Sequence, residues 1–165
     1  MSDSLIAKIE SRILELIGNI NEGGGYNYNW EKRAAVNMVF SDGTMFPGAG
    51  IDLVEEKNID EAENENVAGP TGANACAYYN VLDYCISIGG KYNGKSPERG
   101  QLFKALDDLK KVFGINYTLG DSGASIVMYR GFELVNDENG LLTIKSSWLV
   151  RYYQSRTEPG DTAEI

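Results

Sequence analysis

The order of the predicted elements indicates an α+β domain, in which two helices pack on one face of a mostly antiparallel sheet with a long hairpin and an extended acidic loop. Two segments carry apolar residues at helical spacing, and the segments between and after them alternate apolar with polar residues. The last two alternating segments flank an Asn-Gly pair, which is typical of a β-hairpin turn. A chain of 165 residues buries enough surface for one such domain without metal or disulfide support.

The first helix is predicted over residues 3–20, where isoleucine and leucine recur at steps of three and four residues. Ser2 or Ser4 is suited to cap its amino terminus, because a serine hydroxyl accepts a bond from a free backbone N–H there. Gly18 and the glycine run 23–25 are expected to end it.

The strands are predicted from alternation of period two. Residues 34–40 indicate a half-buried strand that ends in a turn at Asp42-Gly43, and a short strand is expected around 49–56. Residues 57–74 are rich in Glu, Asn and Gly and contain no aromatic residue, which predicts a long loop. Over 75–88 the even-numbered residues are the more apolar, which indicates a sheet covered on one side.

The second helix is predicted over about 97–113, with Ser96 as its cap, Pro97 in its first turn and Gly114 as its end. Its apolar residues share one face, as the helical period requires. They are Leu102, Phe103, Leu106, Leu109 and Phe113.

A closing hairpin follows, with arms at about 124–135 and 141–153 and Asn139-Gly140 in the turn. Gly131 interrupts the first arm and predicts a β-bulge. We therefore expect a single domain over residues 1–154. The remaining residues, 155–165, are expected to form a flexible tail that packs on nothing.

The charge of the chain is strongly acidic and unevenly distributed. Its 24 acidic and 15 basic residues give a net charge of −9, and residues 51–66 hold seven acids and one lysine. Such a chain gains no counterion-release affinity for nucleic acid, so a nucleic-acid-binding function is not expected. The acidic stretch is either a solvated loop or a patch that repels DNA or meets a basic partner.

The absence of histidine removes the usual general base and the usual metal ligand. The only cysteines, Cys76 and Cys85, lie nine apart in one predicted strand and therefore on opposite faces, where they do not pair. We expect no metal and no cofactor. No stretch approaches 18 consecutive apolar residues, so we expect no membrane association.

Residues 89–96 (GGKYNGKS) match the phosphate-loop pattern GxxxxGK[ST], between a predicted strand and a predicted helix. In a true phosphate loop, Lys95 would contact the terminal phosphate and Ser96 a magnesium ion. Two observations favour a chance match. The preceding strand alternates, whereas the central strand of such enzymes is buried on both faces, and Pro97 constrains the backbone where the phosphate grip begins.

Other patterns that suggest catalysis do not predict a site. Residues 120–123 (GDSG) resemble the nucleophile loop of serine proteases, but no histidine exists to accept the proton. The carboxylate pairs Asp107-Asp108 and Glu55-Glu56 are adjacent in sequence, so their side chains point apart and form no acid–base dyad. We therefore expect a protein that is not an enzyme.

The order of elements resembles the tail terminator family of long-tailed bacteriophages, the group that includes the minor tail protein U of lambda-like phages. The helix at 3–20 is followed by a strand, then by 46–56 (FPGAGIDLVEE), which runs into the acidic loop. An alternating strand and a helix come next, and the closing hairpin ends in 148–153 (WLVRYY). The resemblance covers about residues 3–153, and the long 57–74 loop departs from the shorter members.

The resemblance implies a structural virion protein of the tail and neck, assembled in the host cytoplasm. Members form a ring, usually a hexamer, that caps the tail tube, ends its polymerisation and provides the surface for head attachment. The implied partners are copies of the chain itself, the tail tube protein, and the head–tail connector and neck proteins involved in tail completion and head–tail joining. DNA passes through the ring without specific binding.

If the resemblance holds, the acidic residues of the short strand at 49–56 and of the loop after it contribute to a lumen or interface surface that denies phosphate contacts to DNA. They are Asp52, Glu55, Glu56, Asp60, Glu61, Glu63 and Glu65. Two alternatives remain open at this point. One is a small nucleotide-binding protein that uses Lys95 and Ser96, and the other is an adaptor domain whose acidic loop binds a basic partner.

Overall fold

The described part of the chain folds into two α-helices and a five-stranded sheet, which confirms the predicted α+β class. The computed structural model describes residues 4–31, 34–37, 40, 45–58, 77–119, 124–138 and 140–155. Its elements are α1 (Leu5–Gly18), a 3-10 turn (Glu22–Gly24), β1 (Ala34–Val36), β2 (Gly48–Asn58), β3 (Ala77–Gly89), α2 (Arg99–Ile115), β4 (Ala124–Asn136) and β5 (Leu142–Ser155).

The strands lie in the order β1-β2-β3-β5-β4, and every neighbouring pair is antiparallel except β1 with β2. The short β1 pairs only with Ala49–Ile51, at the start of β2. From Asp52 onward, β2 has no strand beside its outer edge among the described residues. β4 forms the opposite edge of the sheet.

Both helices pack on the same face of the sheet, as predicted. Tyr84 of β3 donates its phenol O–H to Glu10 of α1 at 3.3 Å. Phe113 of α2 lies edge-on to Trp148 of β5, with 4.9 Å between ring centroids. We call this side the helix face. The other side, which carries no helix in the described part of the chain, is the open face.

The alternation predicted for β3 is confirmed from Leu82 to Ile88, where the even-numbered side chains lie on the helix face and are buried. It fails near the start of the strand, where Tyr78 is 43% exposed and Tyr79 is buried. The strand residues that form the core are Ala49, Ile51, Leu82, Tyr84, Ile86, Ile88, Val127, Ile144, Trp148, Val150 and Tyr152. One-sided burial of this kind gives an antiparallel sheet an apolar and a polar side.

The first strand is shorter than predicted. β1 ends at Val36, because the next residue, Asn37, has a positive φ of 55° and so leaves the extended conformation, although its N–H still donates to the Ile51 carbonyl at 3.0 Å. Phe40, predicted to continue the strand, is buried instead. The Phe40 ring packs against Gly89, where a side chain would not fit, because a Cβ atom at that position would lie 2.9 Å from the ring.

The second helix begins later than predicted, and the predicted cap Ser96 was wrong. Glu98 and Gln101 form a capping box, in which the Glu98 N–H donates to Gln101 Oε1 at 2.8 Å. The Ser96 hydroxyl oxygen instead accepts from the Leu142 N–H at 2.9 Å. Gly114 does not stop the helix, which continues one residue past it. At the first helix, the cap at Ser4 is confirmed.

Some predicted boundaries shift and some predictions fall on residues that the structure does not describe. β2 includes Lys57 and Asn58 from the predicted loop, and β5 includes Ser155 from the predicted tail. The bulge at Gly131 is confirmed by a shift in the pairing of β4 with β5 and a φ of 129°. Outside the described residues lie Met38, Asp42-Gly43, 59–74, Cys76, 120–123, Asn139 and 156–165.

A buried carboxylate on α2 holds the connection that follows α1. Asp108 is 2% exposed, and its oxygens accept from the backbone N–H groups of Asn27 at 2.8 Å and Tyr28 at 3.0 Å. Its Oδ2 also accepts from the indole Nε1–H of Trp30 at 3.0 Å. The three donors satisfy a charge that would otherwise be costly to bury, and they fix the fully buried Trp30 in the core.

We expect Asp108→Ala to lower the free energy of unfolding by about 3 kcal/mol, because it leaves the buried Trp30 indole N–H and two part-buried backbone N–H groups without their acceptor. Urea denaturation followed by circular dichroism measures the change. Asp107→Ala is the matched control, since Asp107 is the exposed neighbour on the same helix, and its effect should stay within about 0.5 kcal/mol. Equal effects of the two substitutions would contradict the anchoring role.

Candidate functional site: the turn at 89–96, the sheet edges and the open face

The phosphate-loop-like segment folds into a tight hairpin turn. Tyr92 and Lys95 exchange backbone hydrogen bonds, with N···O distances of 2.9 and 3.1 Å. Between them, Asn93 and Gly94 have φ angles of 51° and 77°, as a type I′ turn requires. The N–H groups of Tyr92 and Lys95 therefore bond to the chain's own carbonyls, where a phosphate loop would direct them at a nucleotide.

The first two glycines of the segment are explained by close packing. A Cβ atom on Gly89 would come within 3.0 Å of both Phe40 and Thr143. A Cβ atom on Gly90, which has a φ of 113°, would lie 2.7 Å from the carbonyl carbon of Met45. Both positions thus need glycine so that the chain can pass close to its neighbours.

The start of α2 is also occupied by the chain's own groups. Glu98 takes the capping position, where a phosphate would sit in a nucleotide-binding loop. Ser96, which would contact magnesium in a true phosphate loop, accepts from the Leu142 N–H at 2.9 Å and donates to the Pro97 carbonyl at 3.4 Å. The glycines, the backbone of Lys95 and the Ser96 hydroxyl therefore have structural roles, and this geometry argues against a nucleotide site.

Neither predicted carboxylate pair forms a dyad. Glu55 lies on the open face, and Glu56 lies on the helix face, where it accepts from the Tyr152 hydroxyl at 3.0 Å. Asp107 is exposed, whereas Asp108 is buried. Across the described part of the chain, no group of three or more acidic or cysteine side chains is placed to hold a metal ion.

The structure divides the seven acidic residues proposed as one surface. Asp52 and Glu55 share the open face, and Glu56 is on the other side of the sheet. The reason is a bulge between Leu53 and Glu55, where Val54 has no partner on β3. The other four residues, Asp60, Glu61, Glu63 and Glu65, lie outside the described residues.

Glu56 belongs to a polar network that sequence reasoning did not identify. Asn80, buried on β3, donates to Gln154 Oε1 at 3.1 Å and accepts from the Asn58 side chain at 2.9 Å. Burial raises the pKa of Tyr152, and the Glu56 carboxylate raises it further, so the phenol remains a hydrogen-bond donor. This network joins β2, β3 and β5 at one end of the sheet.

The open face divides into two halves of opposite charge. The half built by β2 and β3 carries three carboxylates and one lysine: Asp52, Glu55, Asp83 and Lys57. We call it the acidic half. The half built by β5 and β4 carries three cations and one carboxylate: Arg130, Lys145, Arg151 and Glu133. We call it the basic half.

A shallow depression of about 570 Å³ crosses the boundary between the halves and is lined by both. A second depression of about 370 Å³ shares Arg130 and Ser147 with it. Burial raises the pKa of the Cys85 thiol beside it, and nearby Asp52 and Glu133 act in the same direction. The thiol therefore stays protonated and is not an activated nucleophile.

The two free edges of the sheet expose apolar side chains. On the β2 edge, Leu53 and Val54 are 37% and 62% exposed. On the β4 edge, Phe132 is 44% exposed, and the N–H of Val127 is already bonded by the Tyr117 carbonyl at 2.7 Å. The part of the β4 edge beyond Val127 is therefore the free stretch on that side.

We expect Gly90→Ala to cost about 3 kcal/mol of folding stability, and Gly94→Ala about 1 kcal/mol. Both glycines have a positive φ, but only the Cβ at position 90 meets backbone atoms, and nothing lies within 4 Å of the one at position 94. Thermal or urea denaturation of the two variants gives the comparison. A smaller loss at position 90 than at position 94 would show that close packing does not set the need for glycine there.

Neither described helix is long and apolar enough to cross a membrane.

Compared with known proteins, the chain matches no family model, and no curated protein is significantly similar to it. The resemblance to tail terminator proteins therefore rests on the element order of this chain alone.

Proposed function

We propose that the chain is a structural tail terminator that assembles into a ring, caps the tail tube and offers a surface for head attachment. The observation that carries the proposal is the position of the two free sheet edges. They lie on opposite sides of the sheet, and each exposes apolar side chains along an edge that no further strand covers in the described part of the chain.

Opposite edges suit a head-to-tail contact. When the β2 edge of one copy meets the β4 edge of the next, backbone hydrogen bonds continue the sheet across the interface. The same contact repeated with a fixed rotation closes into a ring, because each copy uses two different surfaces. Apolar side chains such as Val54 and Phe132 would be buried at the contact.

The charge of the chain fits a ring through which DNA passes without being held. A net charge of −9 disfavours lasting contacts with phosphates. The proposed partners are further copies of the chain, together with the tail tube protein and the neck proteins of a virion. No catalytic step is proposed, and the turn at 89–96 is given a structural role.

The edge contact is tested by placing a lysine on each edge separately. We expect Val54→Lys and Phe132→Lys each to abolish ring-sized particles in sedimentation velocity, because a charge on a strand edge prevents pairing. Mixing the two variants should form one new contact, since each retains the edge that the other lacks. The mixture therefore stops at a short complex and does not close.

Met45→Lys is the matched control, because Met45 is 61% exposed but belongs to neither edge. It should leave the particle size unchanged. A heterologous edge contact is excluded if the two edge variants still form rings, or if they fail to join when mixed although both remain folded by circular dichroism.

The terminator role itself is tested with purified tail tube protein polymerising in solution. We expect the unmodified chain to bind tube ends and shorten the tubes, as measured by electron microscopy, and both edge variants to lose this effect. Magnesium-ATP should not change the melting temperature of the chain. Stabilisation by magnesium-ATP that Lys95→Ala removes would favour the nucleotide-binding alternative instead.

A further inference from the structure

We propose that the open face is a second self-association surface, on which two copies of the chain pair face to face with the acidic half of each copy on the basic half of the other. This pairing goes beyond the proposed ring, because it uses a face of the sheet that the edge contacts leave free. The charges of the open face indicate that its binding partner is a second copy of the same chain.

The basic half contains cations that have no partner among the residues that the structure describes. Neither Arg130 nor Arg151 forms an ion pair among the described residues. The Nε atom of Arg151 is buried and has no hydrogen-bond acceptor there. A guanidinium group held in this way is stabilised when a carboxylate is brought over the face.

The acidic half has the complementary excess. Glu55 and Asp83 lie directly opposite each other in the pairing of β2 with β3, so two like charges are neighbours on the same face. Asp52 lies across from Cys85 in the same half. Glu55 has one cation, Lys57, at 3.1 Å, and both side chains are largely exposed. The half therefore keeps an excess of negative charge that a cationic surface would relieve.

The sheet topology places the two halves symmetrically about its middle. A half-turn about an axis parallel to the strands, between β3 and β5, puts the β4–β5 side of one copy over the β2–β3 side of the other. Asp52 and Arg130 lie at nearly the same level along the strands. The register across the sheet shows this, because Asp52 pairs with Cys85, Cys85 with Ser147, and Ser147 with Gly131, the neighbour of Arg130. The copies then meet with opposite charges facing. A half-turn about an axis across the strands would place like charges together.

Apolar side chains lie among the charged groups of the face and would add buried apolar area to the contact. Val81, Leu149 and Met128 are half-buried on three neighbouring strands, with the charged groups around them. Four strands at about 4.8 Å spacing and eight residues at about 3.3 Å each give roughly 500 Å² per copy. The pair would bury about 1,000 Å², which is the lower limit for a specific interface.

The test isolates the pair from the ring by using Val54→Lys in every chain. With the open face intact, this variant should sediment as a dimer at low salt and dissociate as salt rises, because the contact is electrostatic. Adding Arg130→Glu and Arg151→Glu leaves the face with a net negative charge, although Lys57 and Lys145 remain. Adding Asp52→Lys and Asp83→Lys instead gives it a net positive charge. Each should be a monomer alone, with self-association weakened roughly a hundredfold.

Mixing the acidic-faced and basic-faced chains should restore the dimer, and this recovery also shows that both chains are folded. Arg99→Glu with Lys104→Glu is the control, because it makes the same charge change on α2, on the other side of the sheet. A monomeric Val54→Lys chain at low salt, or a mixture that stays monomeric, overturns the pairing. If Val54→Lys leaves the particle size unchanged from that of the wild type, the proposed edge contact of the ring is wrong. The face-to-face pairing is then tested by making the same charge reversals in the wild-type chain.

Discussion

Burial of only one face of the sheet is the constraint from which the other surfaces of the molecule follow. Both helices contact the same side, so every strand must alternate apolar and polar side chains. Asp108 supports this arrangement, because it ties α2 to the connection that leads from α1 into the sheet. The subunit therefore has a buried helix face, a charged open face and, in the described part of the chain, two free edges.

The bulge in β2 shows how one extra residue changes which face of the sheet the following charged side chains occupy. Counting alternately from Ile51 would place Glu55 on the helix face and Glu56 on the open face. The extra residue Val54 reverses the order, so Glu55 joins Asp83 on the open face and Glu56 reaches Tyr152. The same bulge brings Val54 to the edge, where it is exposed. A single local irregularity therefore shapes both surfaces proposed for self-association.

Sequence reasoning recovered what depends on local periodicity. The helix after Ser4, the apolar parity of β3 and the bulge at Gly131 were all predictable from neighbouring residues. Strand order was not, since β5 lies between β3 and β4 through long-range pairing that periodicity does not encode. The burial of Asp108 was missed because an aspartate beside Asp107 resembles any exposed helical acid. The phosphate-loop pattern matched in letters, but φ angles and close packing decide what such a segment does.

The central claim is that the chain works by binding copies of itself in a closed arrangement. Native mass spectrometry of the unmodified full-length chain tests it most directly. At a salt concentration that dissociates the face-to-face pairs, we expect one discrete particle of fixed copy number, about six chains of 18.1 kDa, and electron micrographs with a central hole. A chain that stays a monomer at every concentration, or an open ladder of sizes without closure, would contradict it.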